Sequence, residues 1–308
     1  MSIKLLPTNL LEAVRYFSDL DVSMDFVAKM RWPNGPVCPR CEGREHSYIS
    51  TRRLWKCRAC KKQFSVKVGT IFEDSPLGLD KWLPAVWLIA NSKNGISSHE
   101  LGRALGVTQK STWFMLHRIR LAMQTGSFDK FSGEIEADET YIGGKARNMH
   151  KRERARKITG TGGKDKTVVL GMIERGGNVR THVVSDSKSR TLQGHVREAV
   201  EPGASVYTDS LKSYTGLPDS YDHRTVDHAE RYVDGQVHTN FMENFWSVLK
   251  RGLNGTYISV EPFHLFRYLD ERVFTFNLRD LDDYERFETV LRLAAGRRVT
   301  YAELTGHT

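Results

Sequence analysis

Cysteine is absent from most of this 308-residue chain: all four cysteines lie between positions 38 and 60. Disulfides therefore cannot staple the remainder, which points to a reducing, intracellular compartment. Long apolar runs are missing too. No stretch approaches the about 18 consecutive apolar residues of a spanning helix, so an integral membrane protein of that kind is excluded. The opening Met1-Ser2-Ile3-Lys4-Leu5-Leu6-Pro7 has too short an apolar run for a signal peptide. Acidic residues are in deficit, 37 against 46 lysines and arginines, giving a net charge of +9. That balance calls for an anionic partner, with nucleic acid ahead of a membrane surface. What is present suffices for a core: hydrophobic residues make up 39%, and the length allows two or three domains.

The stretch Gly133-Glu134-Ile135-Glu136-Ala137-Asp138-Glu139-Thr140-Tyr141-Ile142-Gly143-Gly144-Lys145 reads as a strand carrying acidic residues and ending in a glycine pair. A basic run follows directly, with Arg147, Lys151, Arg152, Arg154, Arg156 and Lys157. Carboxylates on a strand can hold a divalent metal, and Lys145 with the basic run can hold phosphate. The same residues also fit an acidic strand end followed by a solvated basic loop.

Cys38-Pro39-Arg40-Cys41 and Cys57-Arg58-Ala59-Cys60 form two CxxC knuckles fifteen residues apart. Four thiolates at this spacing close a tetrahedral structural zinc site, and intervening segments around Tyr48 and Trp55 read as hairpin strands. A pair of disulfides is the competing arrangement, disfavoured by the lack of any secretion signal. Two small helices, within residues 1–34, precede this 35–70 ribbon, with Ser23 a candidate cap for the second.

Residues 75–126 read as a helix-turn-helix. Ser97 and Glu100 have capping-box form, Gly106-Val107 makes a turn, and Thr108 caps a second helix. Gln109, Lys110 and Thr112 then occupy the position from which recognition helices reach base edges. Arg118 and Arg120 can reach phosphate. A helical hairpin that only joins two domains has the same signature.

From 133 to 284 the pattern is mixed α/β. Strands are expected at Thr167–Ile173, Val179–Val184, Ser205–Thr208 and Tyr221–Val226, with a helix over Leu192–Val200. His238–Arg251 is expected to be a helix with Phe241, Phe245, Val248 and Leu249 on one side. Asn240, Glu243, Ser247 and Lys250 lie on the other. Three hairpin-connected strands, a helix, a strand ending at Asp209 and a late acidic helix follow the order of a ribonuclease H-like fold. Residues 285–308 read as a helical tail with no assigned role.

Together these segments resemble the ISXO2-like transposases, the IS1595 group of bacterial insertion-sequence DDE enzymes. The likeness is carried by both CxxC knuckles, by Val107–Arg120, and by Ala137-Asp138-Glu139-Thr140-Tyr141-Ile142-Gly143-Gly144-Lys145. It continues through Val206-Tyr207-Thr208-Asp209-Ser210 and His238–Gly252. It implies cleavage and joining of double-stranded DNA at the terminal inverted repeats of a mobile element, by a homodimer or larger assembly working at the nucleoid in the cytoplasm. Asp138 and Asp209 would hold Mg²⁺ or Mn²⁺, alongside one structural Zn²⁺ in the ribbon. The family admits asparagine or glutamate at the third position, and this chain offers both Asn240 and Glu243. Charge favours Glu243, because a carboxylate neutralises a divalent ion and an amide does not. Lys250, seven residues on along the same face, can reach a phosphate or be an ordinary surface lysine. Strand alternation turns Glu139 away from Asp138 and out of the metal site.

Overall fold

The computed structural model describes residues 6–125, 129–143, 150–157, 166–217, 220–226 and 238–306. They form two compact units, one of residues 1–125 with 278–308 and one of residues 126–277.

The first unit opens with helices α1 (Leu10–Phe17) and α2 (Leu20–Arg31). Asp19 caps α2, accepting from the backbone N–H groups of Asp21 and Val22. The expected cap Ser23 is instead buried inside the helix, donating to the Phe17 carbonyl at 2.8 Å. A three-stranded antiparallel ribbon follows, β1 (His46–Ile49), β2 (Leu54–Cys57) and β3 (Gln63–Phe64). Trp55 stacks on Phe64 at its centre. Helices α3 (Leu79–Asn91), α4 (Ser98–Leu105) and α5 (Gln109–Met123) come next. Ser97 and Thr108 cap α4 and α5 as their sequence suggests, and Gly106 takes the left-handed conformation (φ 64°) that ends α4. The segment beyond 285 is no loose tail. Helix α10 (Asp283–Leu293) buries Phe287 against Phe17, Phe26 and Trp87, completing this unit's core.

The second unit is a five-stranded mixed sheet. In chain order its elements are β4 (Glu134–Ile142), the short helix α6 (Lys151–Lys157), β5 (Thr167–Glu174), β6 (Val179–Val184), α7 (Ser189–Ala199), β7 (Ser205–Asp209) and β8 (Asp222–Val226). Helices α8 (Asn240–Gly252) and α9 (Leu265–Asn277) close it. Strand order is β6-β5-β4-β7-β8, with β5 antiparallel to both neighbours and β4, β7 and β8 mutually parallel. Leu192 and Val196 of α7 pack on one face beside Ile135, Leu170 and Val206. Met242, Phe245 and Leu249 of α8 pack on the other with Val169 and Ile173. Coverage of both faces explains why β5 is apolar throughout rather than alternating.

Candidate active site

The β4–β7 ladder runs from Glu134↔Ser205 to Ala137↔Thr208 and stops there. Asp138 and Asp209 are the next residues on two neighbouring parallel strands. Crevices at the C-terminal ends of such strands are where α/β sheets bind ligands. Asp138, Glu139 and Asp209 each offer a carboxylate oxygen within 4.8 Å of the others. The expectation that alternation excludes Glu139 is therefore corrected. Beyond Ala137, β4 has no paired residue on the β7 side, so side chains from both of its faces can reach the crevice.

Each carboxylate is held by a hydrogen bond. Asp138 accepts from the Trp246 indole at 2.8 Å and from the Glu139 N–H at 2.9 Å. Asp209 accepts from the Leu211 N–H at 3.1 Å, and Glu139 from the buried Tyr214 hydroxyl at 3.1 Å. Burial raises the Asp138 pKa to about 6, with the Asp209 charge adding and the Trp246 bond opposing. Burial likewise raises Glu139 to about 7, again with Asp209 and Asp138 adding. Carboxyls with raised pKa values at one point suit a divalent cation, which removes their mutual repulsion.

Across a cavity of about 350 Å³ from Asp138 and Glu139 stand Glu243, Ser247 and Lys250 of α8. Glu243 is near enough to push the Asp138 pKa up further, although it lies outside the three-carboxylate group. Asn240 is exposed at the first position of α8 and does not line the cavity. Close approach of α8 depends on Gly171, the β5 partner of Asp138. A Cβ there would sit 2.3 Å from Met242 Cε and 2.6 Å from the Trp246 ring. Gly171, Trp246 and Tyr214 escaped the reading of the sequence; the glycine inside an otherwise apolar strand was its one visible signal.

In the ribbon, Cys38 Sγ lies 3.7 Å from Cys60 Sγ and Cys41 Sγ lies 3.6 Å from Cys57 Sγ. All four sulfurs fall within 4.8 Å. Zinc–sulfur bonds of about 2.3 Å at tetrahedral angles place sulfurs about 3.8 Å apart, so the set fits one zinc ion with no position left for substrate. The cysteines are free thiols rather than disulfides.

The expected nucleic-acid contacts separate into two groups. Gln109 and Lys110 are exposed at the start of α5, where Gln109 donates to Ser98 Oγ and Lys110 lies over the Tyr301 ring. Lys151, Arg152 and Arg154 are exposed on α6, and Lys145 lies outside the described residues. Thr112, Arg118 and Arg120 face inward instead. Thr112 is fully buried and donates to the Ser98 carbonyl at 2.7 Å. Arg118, 3% exposed, spends its guanidinium on the carbonyls of Ile71, Glu73 and Val299 and stacks on Phe114. Arg120 is 1% exposed. These three are packing residues, and their assignment to DNA is withdrawn.

The fold and site define a class: a four-cysteine ribbon unit joined to a mixed α/β domain with an acidic, cation-competent crevice. The chain belongs to the ISXO2-like transposase family. Residues 130–277 match the ISXO2-like transposase domain, and residues 21–63 match the transposase zinc-ribbon domain of the same group. A protein of the transposable element ISH50 from Halobacterium salinarum is 28% identical over 75% of this chain and 82% of its own length. A transposase-like protein of Haemophilus influenzae is 34% identical over 32% of this chain and 80% of its own length. No solved structure matches the chain. Among the described residues no helix is long and apolar enough to cross a membrane.

Proposed function

We propose that this protein is a DDE transposase that binds the terminal inverted repeats of an insertion sequence and cuts and joins DNA there. The carrying observation is the meeting of Asp138, Glu139 and Asp209 at one point, with Glu243 and Lys250 across the cavity. Strand order and the placement of the acidic helix support a ribonuclease H-like domain. A divalent ion, Mg²⁺ or Mn²⁺, would supply the charge that lets a phosphodiester undergo in-line displacement. Asp138, Glu139 and Asp209 would hold it, oriented by Trp246, Tyr214 and the Leu211 N–H. Glu243 supplies a further carboxylate and is preferred over Asn240, which stays outside the cavity and serves water or phosphate nearby. Lys250 neutralises a phosphate beside the scissile bond.

DNA recognition falls to the first unit and to α6. The α4–α5 pair acts as a helix-turn-helix, with Gln109 and Lys110 as its DNA-facing residues. Lys151, Arg152 and Arg154, with Lys145, grip the backbone, and the zinc of the ribbon is structural. Two element ends must be brought together, so the active form is a homodimer or larger, working in the cytoplasm at the nucleoid. The test is to incubate protein, Mg²⁺, a labelled end fragment and supercoiled plasmid. Fragment cleaved and joined to plasmid is the expected result. Cleavage without joining would make the protein a nuclease, and specific binding without cleavage would make it a DNA-binding regulator.

A further inference from the structure

Beside the acidic crevice, β4 is tied to α8 at a second point. Glu136, with no solvent exposure, accepts from the backbone N–H groups of Phe241 at 2.9 Å and Met242 at 3.1 Å. Arg175 Nε donates to it at 3.0 Å, and His238 Nδ1 lies 3.1 Å from the same oxygen. Arg175 also donates to the His238 carbonyl at 3.0 Å, closing the network at the entry to α8. Two residues further along the strand, Asp138 accepts from Trp246.

The spacing of the two ties agrees on both elements. Residues i and i+2 of a strand share a face and lie about 6.7 Å apart. Met242 and Trp246 are four residues apart on the helix, about 6 Å of rise. Two ties of matching separation fix the height and the rotation of α8 against β4, and so the direction in which Glu243, Ser247 and Lys250 point. Stability alone does not call for such a group, since well-packed apolar side chains commonly replace buried ion pairs without loss. A buried carboxylate capping one helix start, two residues from a site carboxylate, instead specifies register.

We propose that Glu136 is a positioning residue that sets α8 in register with β4, holding Glu243 opposite Asp138 and so governing divalent-ion binding at the crevice. The proposal rests on the metal-dependent reading given above. Trp246 provides a probe that needs no turnover: it is the only tryptophan between residues 126 and 277, and it is bonded to Asp138.

The experiment titrates Mn²⁺ into the full-length protein and follows the fluorescence lost in Trp246→Phe. Glu136→Gln is compared with wild type, Asp138→Asn and Glu243→Gln, with native fold checked by circular dichroism. Glu136→Gln is expected to raise the half-saturating Mn²⁺ concentration roughly tenfold, the lower end of the effect of residues that orient metal ligands. DNA affinity should stay unchanged. The shift should vanish in the Glu243→Gln background, because Glu136 acts through the placement of Glu243. Should Glu136→Gln fail to fold, Glu136→Asp serves instead: it keeps the buried charge and withdraws the carboxylate by one methylene from the N–H groups of Phe241 and Met242. It should move the midpoint in the same direction. A lowered melting temperature with an unmoved midpoint, or an equal shift without Glu243, overturns the proposal alone. A wild-type response identical to that of Asp138→Asn overturns the metal-site reading, and the proposal with it.

Discussion

Asp138 and Glu139 have pKa values raised to about 6 and about 7, chiefly by burial and then by the Asp209 charge. A raised acid pKa means that the folded state keeps a proton which the unfolded state, titrating near about 4, has released. Their effect on stability is therefore absent below about pH 4 and unfavourable as pH rises through about 6 to 7. Protein stripped of Mg²⁺ and Mn²⁺, with its zinc retained, should lose melting temperature over this window more steeply than Asp138→Asn/Glu139→Gln. Saturating Mn²⁺ should remove the difference. Parallel pH slopes for the two proteins would contradict the electrostatic account. At the same scale, Glu139→Gln should cut metal-dependent cleavage by roughly tenfold or more, since a ligand matters at least as much as the groups that orient ligands. Cleavage rates measured beside Asp209→Asn check this, and wild-type activity in Glu139→Gln would remove Glu139 from the site.

At the scale of elements, α8 lies where Gly171 lets it lie. Gly171→Ala would drive a Cβ into Met242 and Trp246, and overpacking of this kind costs about 1–3 kcal/mol. Urea unfolding should show that loss. Helix α5 offers a matched contrast. Arg118→Met should weaken the fold, because the carbonyls of Ile71 and Glu73 lose their donor, while Gln109→Ala/Lys110→Ala should weaken end binding and leave stability within about 0.5 kcal/mol. Gel-shift and melting measurements on the same variants separate the two roles.

Local rules made much of these elements legible. Ser97 and Thr108 announce their helices through capping, and β5 follows from its apolar run. Strands β6 to β8 are read from short segments rich in β-branched residues between turns. The polar stripe of α8 can be picked out by its helical period, whereas Asp138 and Asp209 stand out as acidic residues on strands and through the family resemblance. What stayed hidden depends on partners far along the chain. Glu139 joins the site because a ladder ends at Thr208, which period-2 alternation cannot register. Arg118 reads as a surface charge until the carbonyls of Ile71 and Glu73, more than 40 residues away, take its guanidinium. Arg120 is likewise buried by the fold. Arg175 follows directly after β5, and only the fold brings it to Glu136.

At the scale of the whole molecule, the α/β unit interrupts the first unit in the chain, since residues from 278 onward fold with residues 1–125. Ending the chain at Asn277 should therefore damage the first unit rather than the second. Phe287 is fully buried among Phe17, Phe26 and Trp87, and loss of such an aromatic costs about 3–5 kcal/mol. Limited proteolysis should degrade the first unit of the truncated protein and spare residues 126–277. Equal resistance of both units would refute the shared core.

The central claim is that the crevice where the β4–β7 ladder stops is a divalent-ion centre that cuts DNA. Its most direct test measures cleavage of a labelled terminal-repeat fragment by wild type and Asp138→Asn, each with Mn²⁺ and with chelator, after equal end binding has been confirmed. Cleavage by wild type only, and only with Mn²⁺, is the predicted result. Cleavage that survives in Asp138→Asn or in chelator would contradict the account.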